Sequence, residues 1–360
     1  MQKFSVGIDI SKNDFHVCFG SISLTTPFKT LRTAKFDNTQ SGCKAFDKWL
    51  KETLTKKGDG ELSLVMEATG VYFEYCALFL YKAGYKVSVV LPNKSKKYLE
   101  ALGIKSKTDK ADAQGLAKMG AEQHLSLWEP MDGYYYELRA LTRHYQMIQE
   151  TITAMNNRLE ANYHGMYAIK QVTKSSEKIK KDLTKELAII KAAIEQHIDS
   201  NNEVKVKTAQ ICEMKGVGVL TVAVVLAETN GFLLFKNASQ LVSYAGYDVV
   251  ENQSGKRVGR TRISKKGNGR IRRALHMPAL VTVKHEPYFK MFYERLYQRH
   301  GVKMKSYVAV QKKILTTIFA LWKKNENFNS EYWKTIKERS CEHPLGGFAE
   351  AKKVSLAEQG

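Results

Sequence analysis

Long apolar runs are missing from this sequence. The longest, Val217 to Ala227, is interrupted by Gly218 and Thr221 and falls well short of the roughly 18–20 apolar residues a membrane helix needs. No charged-then-apolar leader opens the chain, so no signal peptide is expected. Cysteine is scarce: Cys18, Cys43, Cys76, Cys212 and Cys341 are scattered, odd in number and form no C-x-x-C pair. That excludes a disulfide framework or a zinc knuckle and points to a reduced, cytoplasmic protein. With only six prolines among 360 residues and a 43% hydrophobic content, disorder is excluded as the main state. Acids are the other shortage. Against 36 Asp and Glu stand 57 Lys and Arg, a formal net charge of +21, which favours polyanions and above all nucleic acid as partners. A basic ribosome-associated protein shares that charge. An anionic-membrane binder does too, but no basic amphipathic anchor is visible.

Hydrophobic periodicity divides the chain. Phe4–Ile10 and Asp14–Phe19 read as strands around a Ser11-Lys12-Asn13 turn, Thr33–Phe36 as a third, and Leu62–Met66 and Lys86–Leu91 as short buried strands. Helical patterns cover Ser41–Leu54, Val71–Ala83, Lys94–Leu102 and Asp109–Gln123, with Gly84 placed to end the second. Strands first and alternation afterwards predict a mixed sheet flanked by helices in residues 1–130. From Leu138 the apolar residues step by three and four through Leu141, Tyr145, Ile148, Ile152, Met155 and Leu159, a heptad seam. Ile179, Leu183, Leu187, Ile190 and Ile194 continue it beyond a reversal near Gly165. Residues 131–205 are therefore expected to form a coiled-coil helical arm, available for homo-oligomerisation or closed on itself.

Residues 206–300 change texture again. Met214-Lys215-Gly216-Val217-Gly218 before an apolar helix resembles a helix-hairpin-helix turn, in which Lys215, Gly216 and Gly218 would approach a phosphate; an ordinary turn into a helix is the competing reading. Between Ser254 and Arg273 lie Lys256, Arg257, Arg260, Arg262, Lys265, Lys266, Arg270, Arg272 and Arg273 with no acid among them. Charge runs are usually solvated faces. Here Gly255, Gly259, Gly267 and Gly269 are interleaved, and that combination of close backbone approach and cations favours nucleic-acid contact. Residues 301–360 read as a helical extension and a polar tail.

Four acids stand out by position. Asp9 lies inside an apolar strand, where a lone carboxylate costs several kcal/mol unless paired or bound to a cation. Glu67 follows the Leu62–Met66 run. Asp109 and Asp112, three apart at a helix start, share one face. Singly, each has an ordinary role: Asp109 and Asp112 suit the helix dipole, and Glu67 can cap the turn that follows it. Together they offer the all-oxygen donor set that Mg²⁺ prefers, with Mn²⁺ a possible substitute, and a paired-metal site would clamp both oxygens of a phosphodiester exchange.

These segments carry a resemblance. GIDIS (7–11), MEATG (66–70) and KTDKADA (107–113) resemble the RuvC-like, ribonuclease H fold domain of IS110-family transposases. MKGVGVLTVAVVLAE (214–228), LVSYAG (241–246), SGK (254–256) and ISKKGNGRIRRAL (263–275) resemble the C-terminal transposase domain of the same family. The match runs in order through most of residues 1–285. It implies a RuvC-like domain, a helical arm and a mainly helical transposase domain, an α/β plus α architecture. It also implies a catalytic, metal-binding set of Asp9, Glu67, Asp109 and Asp112, and a recombination nucleophile that maps onto Ser254. Donor and target DNA, a structured guide RNA, a dimer or tetramer with a site shared between subunits, and a nucleoid-associated location in a bacterial or archaeal cell are further implications. Where members often carry proline after the Ala-Gly, this chain has Tyr247-Asp248-Val249-Val250, so Ser264 competes with Ser254. Two other functions fit fewer motifs: a metal-dependent junction nuclease, which leaves the SGK segment without a role, and a non-catalytic nucleic-acid scaffold, which needs no Asp9 in a strand.

Overall fold

A computed structural model describes residues 2–56, 60–103, 108–251, 253–254, 257–259 and 262–331. The chain divides into two compact units, Met1–Pro130 and Met131–Gly360.

The first unit is built on strands β1 (Lys3–Ile10), β2 (Asp14–Ile22) and β3 (Lys29–Asp37), helix α1 (Gln40–Thr55), strand β4 (Glu61–Glu67), helix α2 (Glu74–Lys82), strand β5 (Val87–Val90), and helices α3 (Pro92–Ala101) and α4 (Asp109–Glu122). The sheet order is β3-β2-β1-β4-β5. Its first three strands form an antiparallel meander, while β1–β4 and β4–β5 are parallel. This is the mixed sheet expected for the region, although β3 extends four residues further toward the N-terminus than its apolar core suggested. Backbone pairing with β2 sustains those extra residues where side-chain pattern alone does not.

Alternation along β1 separates two faces. Phe4, Val6 and Ile8 join Phe15, Val17 and Phe19 of β2 against Phe46 and Leu50 of α1 and Leu80 of α2. The opposite face receives α4. There a Cβ on Gly7 would stand 2.0 Å from the Ala113 carbonyl oxygen and 2.2 Å from the Ala117 nitrogen. Gly120 lies equally close to Ser5 and Val65, and Cys18 packs with Ala113 and Ala117. Small residues on both partners thus let helix backbone touch strand backbone. Thr108 caps α4 by accepting from the Ala111 N–H at 3.2 Å, the contact that favours Ser and Thr at helix starts.

In the second unit, α5 (Gly133–Tyr163) and α6 (Lys170–Asp199) are long helices whose heptad seam is buried in part: Leu138, Ile148, Leu159 and Ile194 are buried, while Ile179 is exposed. Asp132 and Asn201 cap α5 and α7 (Asn202–Cys212). After α8 (Val219–Thr229) and α9 (Ala238–Tyr244), two short ladders nest inside one another. Strand β6 (Val249–Val250) pairs with β9 (Arg262–Ile263), and within them β7 (Gln253–Ser254) pairs with β8 (Arg257–Val258). Helices α10 (Gly269–Ala274), α11 (His276–His285), α12 (Pro287–His300) and α13 (Lys303–Lys324) follow. Leu226, Phe232, Leu241, Ile271, Ile314 and Ile318 belong to one core. Among the described residues no helix is long and apolar enough to cross a membrane. Cys18, Cys43, Cys76 and Cys212 are free thiols.

Candidate active site and nucleic-acid interface

The four acids lie at one end of the first unit's sheet. Gly7 and Val65 face α4, so period-two alternation turns Asp9 and Glu67 toward the same side. The parallel register ends at Ile8↔Met66, one residue before both acids. Asp109 and Asp112 occupy the first turn of α4, and Ala113, the next residue, touches the strand at Gly7. Glu67 accepts a hydrogen bond from Ser95 Oγ at 2.6 Å. Asp9 pairs across the ladder with His16, whose Nδ1 stands 3.6 Å from Asp109 Oδ2. That Asp109 side chain is 65% exposed. Neither Ser95 nor His16 is marked by local pattern, because each reaches its acid through tertiary packing.

Oxygen-only, all-carboxylate donors suit a hard divalent cation. Among the described residues, however, no group of three His, Cys, Asp or Glu side chains stands close enough to form a metal cage. The acids share an end and a face of the sheet without being gathered around a point.

In the second unit Ser254 is exposed and forms, with Arg257, the innermost pair of the nested ladders. Gly255, Lys256 and Arg260 lie outside the described residues. Ser264 is differently placed: its Oγ donates to Asp248 Oδ1 at 2.6 Å and accepts from the Lys266 N–H at 3.3 Å. Arg262, Lys265 and Lys266 are exposed, Lys265 with a positive φ of 52°. The arginines of α10 already have protein partners. Arg272 donates to the Ala245 carbonyl at 2.7 Å, Arg273 pairs with Glu150, and Arg270 Nε stands 3.9 Å from Glu228.

Glycines of the candidate hairpin have separate roles. Gly216, at φ 101°, packs on α11, where a Cβ would meet the Thr282 nitrogen at 2.9 Å. The Lys215 N–H is satisfied by Glu286 at 3.1 Å. Gly218 heads α8 without a side-chain cap, and nothing lies within 4 Å of a Cβ built there, so this end of the helix is open to an anion.

One residue the sequence reading passed over organises the surroundings. Glu228, 4% exposed near the end of α8, accepts Arg143 Nε at 2.7 Å, Arg143 Nη2 at 2.9 Å and Asn268 Nδ2 at 2.7 Å. Burial pushes its carboxyl up, but hydrogen bonds from Arg143 and Asn268 and the charges of Arg143 and Arg270 outweigh it and hold the group below its ordinary value. Asn268 in turn caps α10 through the Arg270 and Ile271 N–H groups. An acid inside the apolar VLTVAVVLAET segment was the available signal, the same one that marked Asp9.

Comparison with known proteins decides the family. Residues 6–168 match the DEDD transposase profile of IS110, described as Transposase, and residues 208–294 match the Transposase IS116/IS110/IS902 family. The pilin gene-inverting protein of Moraxella bovis is 30% identical over 333 residues, covering 91% of this chain and 98% of that protein. The chain belongs to the IS110 family of transposases. It is therefore an enzyme of DNA rearrangement. The insertion element IS110 uncharacterized 43.6 kDa protein of Streptomyces coelicolor (strain ATCC BAA-471 / A3(2) / M145) is 26% identical over 129 residues, 36% of this chain and 32% of that one. Among solved structures, Thermus thermophilus RuvC covers 35% of this transposase at 12% identity with a TM-score of 0.27, over 99% of that chain.

Proposed function

We propose that this transposase cuts and rejoins DNA through a covalent phosphoserine on Ser254, with Asp9, Glu67, Asp109 and Asp112 holding Mg²⁺. The observation that carries the reading is the pairing, within one family member, of four acids at one end of a sheet with an exposed serine inside its most basic segment.

Ser254 Oγ attacks the scissile phosphorus. The Oγ–P bond forms as the P–O3′ bond breaks, and the hydroxyl proton leaves Oγ while one is taken up at O3′. The incoming 3′-hydroxyl of the partner strand then reverses the exchange and frees the serine. One phosphodiester-like bond exists at every stage, so no nucleotide co-reactant is needed. A serine hydroxyl is a weak nucleophile at neutral pH; the cations that follow it in sequence, Lys256, Arg257 and Arg260, would favour its deprotonated form and the charge that develops on phosphorus. Bound Mg²⁺ would neutralise the oxygen of the departing or entering 3′ end. Ser95 orients Glu67 for that task, and contact between α4 and β1 at Gly7 positions Asp109 and Asp112. Phosphate contacts at Gly218, Lys215 and the exposed cations Arg262, Lys265 and Lys266 would set the register of the nucleic acid without reading its sequence.

Partners are part of the same reading: donor and target DNA, a structured guide RNA in keeping with the +21 charge, and further copies of the chain. Met147, Ile179 and Ile189 are apolar and exposed on α5 and α6, a surface available for oligomerisation of the arm.

A second assignment has its own observation. Ser264 already hydrogen-bonds Asp248 at 2.6 Å, a carboxylate able to receive its proton, which Ser254 lacks among the contacts of the described residues.

Incubation with supercoiled DNA carrying the element ends, with and without Mg²⁺, tests the proposal. Rejoined recombinants only with Mg²⁺ support it. Nicked or linear hydrolysis products without rejoining favour a junction nuclease, and unaltered DNA with retained binding favours a scaffold. RNA recovered with the protein from its host cell, and sequenced, tests the guide.

A further inference from the structure

A cavity of about 740 Å³ lies inside the second unit, lined by α5, α8, α10, α11 and α13, within the range of about 300–1,000 Å³ typical of small-molecule sites. Its walls combine three kinds of surface. Leu220 and Val224 of α8 and Val308 of α13 are apolar. Tyr145 supplies an aromatic ring, and Gln149 donates to its hydroxyl at 3.3 Å. Lys265 adds an exposed cation, and Arg270 and Arg273 lie beside it, already facing Glu228 and Glu150.

A hydrogen-bonded chain stiffens one part of the wall. The Tyr247 hydroxyl donates to Gln311 Oε1 at 2.9 Å, and Gln311 Nε2 donates to His276 Nδ1 at 3.2 Å. Gln311 is almost fully buried, so this polar edge is set before any ligand arrives.

Stacked duplex DNA would meet the cations with its phosphates but leave the apolar walls empty, since its bases stay inside. An inorganic anion would likewise ignore Leu220 and Val224. A purely apolar ligand has no use for Lys265 and Arg270. An unstacked nucleotide combines what these walls ask for: a flat π face, a hydrogen-bonding edge and an attached phosphate.

We propose that this cavity receives an unpaired nucleotide of a bound strand, its base against Tyr145 and the α8 side chains and its phosphate beside Lys265 and Arg270. This deepens the nucleic-acid reading above, and rests on it, by naming the state of the strand that the second unit recognises. Glu228 and Asn268 fix the start of helix α10, which carries Arg270.

The test uses full-length protein and oligonucleotides with 2-aminopurine at successive positions of an unpaired tract, as DNA and as RNA, beside the same sequence fully paired. Binding should change the emission of 2-aminopurine at one or a few positions and shield it from acrylamide. Val224→Trp, which fills the cavity from α8, should lower the ratio of unpaired to paired affinity about tenfold, in line with the loss of one stacked base, and Gln149→Ala, which removes the partner of the Tyr145 hydroxyl at an exposed position on α5, should lower it by a smaller factor. A response with either sugar upholds the assignment, and the tighter of the two identifies the strand that supplies the base. Unchanged emission at every position, or an unchanged affinity ratio in Gln149→Ala, overturns it while leaving duplex binding intact. Loss of all nucleic-acid binding in the unaltered protein would instead remove the reading on which it rests.

Discussion

Arg143 and Glu228 form a two-pronged ion pair between α5 and α8, with Nε to Oε1 at 2.7 Å and Nη2 to Oε2 at 2.9 Å. Only the carboxylate is buried; Arg143 is 40% exposed. Removing the arginine therefore leaves an under-compensated charge inside the protein, the costly half of such a pair. Arg143→Ala should lower stability by about 3 kcal/mol, read by chemical denaturation. The pH dependence follows from the lowered Glu228 value. Its contribution is complete above the ordinary glutamate value of 4.5 and is lost as pH falls through the lower folded-state value. Glu228→Gln should flatten that part of the acid-denaturation profile; an unaltered profile would mean that the pair contributes nothing through ionisation.

Gly7 is the point where β1 meets the backbone of α4. Gly7→Val should destabilise the first unit by about 3 kcal/mol, the upper part of the usual range for overpacking. Because α4 carries Asp109 and Asp112, recombination should fall further than the loss of folded protein explains. Thermal denaturation and activity normalised to folded protein separate the two effects. A variant that melts and recombines normally would show that helix and strand move apart freely.

Much of the first unit was legible because short-range signals agreed there. Alternation in FSVGIDI fixed both the strand and the oddity of Asp9, and Asp109 and Asp112 marked the helix start that Thr108 caps. What remained hidden depends on distance along the chain. Arg143 is 85 residues from Glu228 and Asn268 another 40 beyond it, so neither partner could be read from local pattern. The basic stretch was legible as charge, but not the division of labour within it, in which Arg272 and Arg273 engage protein partners while Lys265 and Lys266 remain exposed. Gly216 illustrates the same limit: its glycine was visible, but the helix it packs against begins 60 residues later.

Asp9→Asn keeps the size of the side chain and removes its charge. On the present account it should leave the melting temperature nearly unchanged and lower Mg²⁺-dependent recombination on the order of a hundredfold or more, as expected when charge stabilisation at a reacting oxygen is lost. Rates measured across a Mg²⁺ titration check this. Full activity in Asp9→Asn would remove that residue from the metal set.

Ser264→Ala discriminates between the two candidate nucleophiles. If its hydroxyl serves to bind Asp248, the variant should lose about 1 kcal/mol of stability and still form a covalent complex with DNA. Denaturing electrophoresis of the trapped complex gives the answer, and absence of the complex in folded Ser264→Ala would transfer the chemistry to that serine.

The most direct measurement is the identity of the amino acid joined to DNA. Supercoiled substrate is reacted in the presence of Mg²⁺, the complex is quenched in denaturant and digested, and the modified peptide is sequenced by mass spectrometry. A phosphodiester on Ser254, absent from folded Ser254→Ala, is the predicted result. Attachment at any other residue, or cut DNA that never carries protein, would contradict it.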